Sequence, residues 1–145
     1  MRDLLYLKDD QIKDFIELIF CAYRETYSDP IKILKKHSFG TAHHRAMHLI
    51  ERNEGLTVSE LITKLKITKQ SLNRVLRDLL KNKIILLKKG DSDGRRRLIY
   101  LNENGKKLFN EIFLEQKKRI YNALKNSDSD SVIKFKQLLN KIINE

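Results

Sequence analysis

Two short apolar stripes lie in immediate succession between residues 57 and 82, and no other stretch restricts the fold as tightly. Thr57-Val58-Ser59-Glu60 has the spacing of a capping box, so a short helix is expected from Val58 to Leu65 with Leu61, Ile62 and Leu65 inward. Thr68 is a second N-cap, and Leu72, Val75, Leu76 and Leu79 recur at three- and four-residue spacing. They predict a helix ending near Asn82, the residue expected to close it in the left-handed conformation. A connection of about three residues turns the pair into a helix-turn-helix unit. The next stretch changes period. Ile84-Ile85-Leu86-Leu87 and Leu98-Ile99-Tyr100-Leu101 are β-prone runs around Gly90-Asp91-Ser92-Asp93-Gly94, the pattern of a hairpin placed as a wing beside the second helix.

Helical patterning accounts for the rest of the chain. Ile12, Phe15, Ile16, Ile19, Phe20 and Tyr23 form one stripe of a helix ended by Asp29-Pro30. After a connecting stretch containing Ile31, Ile33 and Leu34, a second helix is expected from Gly40-Thr41 to about Asn53, with Met47, Leu49 and Ile50 inward. Asn102 can cap a long helix from Glu103 to about Asn126, and a last helix starts near Asp128 with Val132, Phe135, Leu138, Leu139, Ile142 and Ile143. The expected fold is mainly α with a small β-hairpin wing: a winged helix-turn-helix core over residues 41–102, flanked by helices at 9–28 and 103–145. The 145 residues, 41% of them hydrophobic, are read as one domain. Its terminal helices carry more apolar surface than a three-helix core can cover, so burial against a second copy is expected, with 9–28 and 103–145 as the dimerisation helices.

Charge locates the functional surface. Twelve Lys/Arg and three Asp between Lys64 and Arg97 give +9 of the total +11, whereas the remaining residues carry 18 basic and 16 acidic side chains. The excess therefore coincides with the second helix of the unit and the wing, which points to a polyanion. With the inward stripe assigned, Lys69, Gln70, Ser71, Asn73, Arg74 and Arg77 face outward. Gln and Asn can pair bidentately with adenine and Arg or Lys with guanine, while helix amides with Thr68 or Ser71 suit phosphate. Polar residues on an exposed helix are ordinary in themselves; their position inside the charge cluster is not. In the wing, Arg95 and Arg97 are placed on a strand face with Ile99 and Leu101, the arginines nearer the tip and suited to a narrow minor groove. Asp93 is read as a brace that caps the turn and fixes a neighbouring arginine.

Asp93-Gly94-Arg95, followed by Ile99, Leu101, Asn102 and Gly105, resembles the wing signature of MarR-type regulators, an Asp-x-Arg followed by aliphatic-x-Leu-Thr-x-x-Gly. Asn102 stands where Thr is usual, and both cap helices. The similarity extends through Leu56-Thr57-Val58-Ser59-Glu60-Leu61 and Ile67-Thr68-Lys69-Gln70-Ser71-Leu72-Asn73-Arg74-Val75-Leu76. The stretch Phe39-Gly40-Thr41-Ala42-His43-His44-Arg45-Ala46, taken with that helix, is similar to a PetP-like subgroup. The resemblance implies a triangular homodimer with interlocking terminal helices and two recognition helices in successive major grooves of pseudo-palindromic double-stranded DNA. It also implies transcriptional control, usually repression, relieved by a small-molecule effector or an oxidant.

Other candidate chemistries are weaker. Cys21, with Tyr23 and Tyr27 nearby, has the loose placement of a first-helix redox sensor, but a free cysteine beside an apolar stripe is ordinarily a small buried hydrophobe. His37, His43, His44 and His48 cluster, and His44 with His48 has the i, i+4 spacing of a metal pair, completed by Glu51 or Glu17; Arg45 opposes a cation, and packing is the ordinary use. No metal and no cofactor are therefore assigned. Neither a Gly-rich phosphate loop nor a nucleophile elbow is present, and no carboxylate pair is placed for acid–base work, so an enzyme is not expected. No run reaches the length of a membrane span, the opening residues lack a secretory pattern, and one cysteine excludes an intrachain disulfide. A cytoplasmic protein without membrane contact is expected. A winged helix used for docking protein or RNA is the alternative, and it requires neither the polar set on the second helix nor the wing arginines.

Overall fold

The computed structural model describes residues 4–92 and 94–144. Among these residues the backbone forms seven α-helices, a 3-10 turn at Leu5–Leu7 and a three-stranded antiparallel sheet. The chain divides into two compact units, residues 29–113 and the terminal segments 1–28 and 114–145.

The central unit contains α2 (Ile31–Lys36), α3 (Thr41–Arg52), β1 (Leu56–Thr57), α4 (Val58–Leu65), α5 (Lys69–Lys81), β2 (Ile85–Lys89), β3 (Arg97–Leu101) and the first turns of α6 (Glu103–Lys125). Its core joins Leu34, Met47, Ile50, Leu61, Leu72, Leu79, Ile99 and Ile112, all essentially inaccessible to solvent. The stripes that predict the helices are the ones that close this core. Strand β3 lies between β1 and β2, pairing Leu56 with Ile99 on one side and Ile85 with Leu101, Leu87 with Ile99 and Lys89 with Arg97 on the other.

Two elements depart from expectation. Ile31–Lys36, read as a connection, is a helix of six residues that ends in a Schellman motif. Ser38 takes φ 59° there, the Phe39 amide donates to the Leu34 carbonyl at 3.0 Å, and both of those apolar side chains are buried. Leu56–Thr57 adds a short strand to the hairpin, making a sheet of three strands. Gly55 leads into it with φ +79° and its amide donates to the Ile99 carbonyl at 3.0 Å.

The terminal unit holds α1 (Asp9–Ser28), the later turns of α6 and α7 (Ser129–Ile143). Asp128 caps α7, accepting from the Ser131 amide at 3.0 Å and the Ser131 hydroxyl at 2.7 Å, and those bonds hold its carboxyl below the usual carboxylate value. Gln116 donates to the Thr26 carbonyl at 3.0 Å and ties α6 to α1. No residue of α1 or α7 is buried within the single chain.

Candidate nucleic-acid interface

The corner between α4 and α5 is held by backbone and hydroxyl bonds. Thr57 Oγ1 accepts from the Glu60 amide at 3.1 Å and starts α4, as the capping-box spacing requires. Lys66 ends it with φ 52°, its amide donating to the Ile62 carbonyl at 2.8 Å. Thr68 then starts α5: Oγ1 accepts from the Ser71 amide at 3.1 Å, and the hydroxyl donates to Ser71 Oγ at 2.9 Å. Leu72, Val75, Leu76 and Leu79 are buried, while Thr68, Lys69, Gln70, Ser71, Asn73, Arg74 and Arg77 are all exposed. The expected reading face is thus presented to solvent on a helix clamped from behind, with Thr68 and Ser71 already engaged in the cap.

At its far end, α5 departs from expectation. Asn82 stays near the helical region at φ −87°, ψ 7°, and Lys83 takes the left-handed conformation at φ 58°. Lys83 N donates to the Leu80 carbonyl and Ile84 N to that of Leu79, the two bonds of a Schellman motif, with Leu79 and Ile84 both buried. Asn82 instead turns its side-chain amide onto the Asp78 carbonyl at 2.8 Å. Ile84 links onward as well: its carbonyl accepts from the Asn102 amide at 3.0 Å, and Asn102 Oδ1 accepts from the Gly105 amide at 2.9 Å. The cap of α6 is therefore made by Asn in place of Thr. A Cβ on Gly105 would drive into the Ile84 carbonyl, so the glycine is required by close approach of helix and backbone.

The wing closes where the Gly90 amide donates to the Arg96 carbonyl at 3.1 Å. Arg97 lies on β3 in alternation with buried Ile99 and Leu101, as expected, but Arg95 lies in the turn and not on that strand face. The β-alternation does not extend past the last ladder pair, Lys89 with Arg97. Arg97 Nη1 donates to the Gly94 carbonyl at 3.2 Å, so this arginine braces the tip from within the hairpin. Asp93, expected to supply that brace, lies outside the described residues. On the hairpin, Lys88 Nζ sits 4.9 Å from the Tyr100 ring centroid, a cation–π contact that patterning does not disclose.

The histidines do not gather into one site. His44 is fully buried. His48 packs edge-on to Phe109 with centroids 5.6 Å apart, and burial pushes its imidazole below the ordinary histidine value, against the opposing pull of Glu51. Among the described residues no group of three His, Cys, Asp or Glu could hold a metal ion. His43 reaches α5, contacting Asp78, a juxtaposition of residues far apart in sequence. Cys21 is half-buried in α1, where the Tyr23 and Tyr27 rings meet tilted at 33° with centroids 4.6 Å apart. Among the described residues no helix is long and apolar enough to cross a membrane.

Residues 37–96, which contain this whole surface apart from the last wing residue, match the model of the MarR family. Over 136 residues the chain is 43% identical to the HTH-type transcriptional regulator PetP of Rhodobacter capsulatus, covering 94% of this chain and 82% of that protein. The chain belongs to the MarR family. It is thus one of a family of transcriptional regulators, as the wing signature implied, and the PetP similarity spans far more than the Phe39–Ala46 stretch. Solved MarR-family folds superpose on it. A mutant MarR from E. coli complexed with operator DNA gives a TM-score of 0.67 at 20% identity, covering 97% of this chain and 98% of that one. NadR in complex with 4-hydroxyphenylacetate gives 0.75 at 25% identity, covering 88% and 89%.

Proposed function

We propose that this regulator binds double-stranded DNA in a sequence-specific manner, with α5 in the major groove and the wing on the flanking backbone or minor groove. The observation that carries the reading is the outward set on α5, with Lys69, Gln70, Asn73, Arg74 and Arg77 exposed on a helix buried along its opposite face. Gln70 and Asn73 supply base readout; Thr68, Ser71 and the first amides of α5 contact phosphate. Arg95 reaches the groove, and Arg97 contributes from its braced position on the hairpin. MarR bound to operator DNA supports this assignment by its common fold.

Two copies act together in this proposal, with residues 9–28 and 103–145 as the dimerisation helices. The support is the apolar surface left open in the terminal unit, where Ile16, Phe20, Phe135 and Ile143 are each more than half exposed. A two-fold pair places its recognition helices on half-sites one helical turn apart, roughly 34–36 Å, and so reads a pseudo-palindrome. The regulator acts as a cytoplasmic repressor, not as an enzyme, and a small organic ligand releases it; the 4-hydroxyphenylacetate complex of NadR supports that class of effector.

Electrophoretic mobility shifts test the proposal, using duplexes from immediately upstream of the protein's own gene and a scrambled duplex of equal composition. Tighter binding to one upstream duplex at moderate salt is the expected result. Equal affinity for all duplexes, with tight capture of a protein or RNA, would favour the docking alternative.

A further inference from the structure

Asp78 is the one acidic residue of α5, in a helix that otherwise reads Lys-Gln-Ser-Leu-Asn-Arg-Val-Leu-Arg and ends in Leu-Leu-Lys. Its position is unfavourable twice over. A carboxylate in the last turn opposes the helix dipole, and a negative charge in the most basic part of the chain weakens attraction to a polyanion. What offsets both is a contact between helices: Asp78 Oδ2 lies 2.8 Å from His43 Nε2 on α3.

The His43 ring is held on three sides. Its Nδ1 accepts from the Gly40 amide at 3.0 Å, replacing the usual carboxylate or carboxamide of a capping box and starting α3. Because an amide can only donate, Nδ1 carries no proton and Nε2–H is free to donate to the carboxylate. Phe39 stacks on the ring at 4.8 Å between centroids, and only 15% of the His43 side chain is exposed. A side chain locked in place and tautomer by Gly40 and Phe39, just ahead of α3, therefore grips the last turn of α5.

We infer that the His43–Asp78 contact is a positioning device for DNA reading, fixing the rotation of α5 so that Gln70, Asn73 and Arg77 meet base edges together. The inference rests on the proposed DNA-reading role of α5. It explains why a carboxylate is kept where electrostatics and the helix dipole both disfavour it: the contact sets the helix's orientation, and a small rotation of α5 would move every reading side chain at once.

The signs of the competing effects make it testable with Asp78→Ala. Charge alone predicts that this variant binds all DNA more tightly, and the dipole predicts no loss of folding. Removal of the brace predicts weaker binding to the specific duplex only. The full-length wild type is first used to enrich a duplex from a randomised pool. Asp78→Ala, Asp78→Asn and His43→Gln are then compared on that duplex and on its scrambled counterpart. Asp78→Ala should lose roughly tenfold on the selected duplex, the scale of one hydrogen bond to a charged group, and nothing on the scrambled one. Asp78→Asn, which keeps an acceptor for Nε2–H, should restore most of the preference. His43→Gln, which keeps an acceptor for Gly40 but withdraws the ring from Asp78, should reproduce the loss even if the alanine variant does not fold. Undiminished preference in Asp78→Ala or His43→Gln overturns the brace while leaving DNA reading intact. Failure of the wild type to enrich any duplex overturns the DNA-reading role and the brace's part in it.

Discussion

Arg95 and Arg97 stand two residues apart in the wing, yet their surroundings differ. Arg97 lies on β3 and donates to the Gly94 carbonyl, and Arg95 lies in the turn with its side chain exposed. Arg95→Ala is therefore expected to weaken binding to selected and scrambled DNA alike, and to lower the slope of log affinity against log salt by about one unit for each phosphate that is no longer neutralised. Asn73→Ala or Gln70→Ala should instead relax preference at particular base pairs, read by repeating the duplex selection with each variant. Gly105 carries a structural expectation. Gly105→Ala sets a methyl against the Ile84 carbonyl and should cost roughly 1–3 kcal/mol in urea unfolding, the range for overpacked sites. At this scale the helix starts are legible in the sequence. Thr57, Thr68 and Asn102 cap the helices they are expected to cap, and Asp128, expected only near the start of the last helix, proves to be its cap. The His43–Asp78 contact is not legible, because it joins residues 35 positions apart and no pattern along the chain encodes their meeting.

The elements that sequence periodicity reveals are those long enough to have a period. Helices α1, α3, α4, α5, α6 and α7 and both hairpin strands lie near their expected bounds. The six residues of α2 and the two of β1 escape it, since neither spans enough residues for a stripe or an alternation to emerge. Loop closure explains the misplaced end of α5 as well. Asn is a common left-handed residue, but burying Ile84 against Leu79 fixes which position must turn, and that position is Lys83. Lys83→Gly removes the steric penalty of a Cβ at φ 58°, so it should stabilise the fold by roughly 0.5–1 kcal/mol, measured as a raised urea midpoint at unchanged slope. A fall in the midpoint would mean that the lysine side chain holds the turn by interactions of its own.

For the whole molecule, the contrast between the units sets the expectation. Residues 29–113 close a continuous core around Met47, Leu72 and Ile99, whereas α1 and α7 bury none of their apolar residues within the chain. Charged substitutions on the open faces, Ile16→Glu with Phe135→Glu, should halve the mass measured by light scattering while the far-ultraviolet spectrum stays largely helical. Affinity for the selected duplex should fall on the order of 100-fold, the drop expected when two linked half-sites are engaged one at a time. A double variant that keeps the mass and affinity of the wild type would overturn these faces as the proposed dimer interface.

The division of the chain also orders its synthesis. Helix α1 leaves the ribosome first, but α6 and α7, with which it forms one unit, are completed only after all of residues 29–113. At about 5–20 residues per second, the central unit has seconds in which to fold before those partners emerge. Throughout that interval the apolar side chains of α1 wait in water, open to chaperones and to other nascent chains. The unit that carries the proposed reading helix is thus complete before the terminal unit, and the proposed pairing of subunits would follow it.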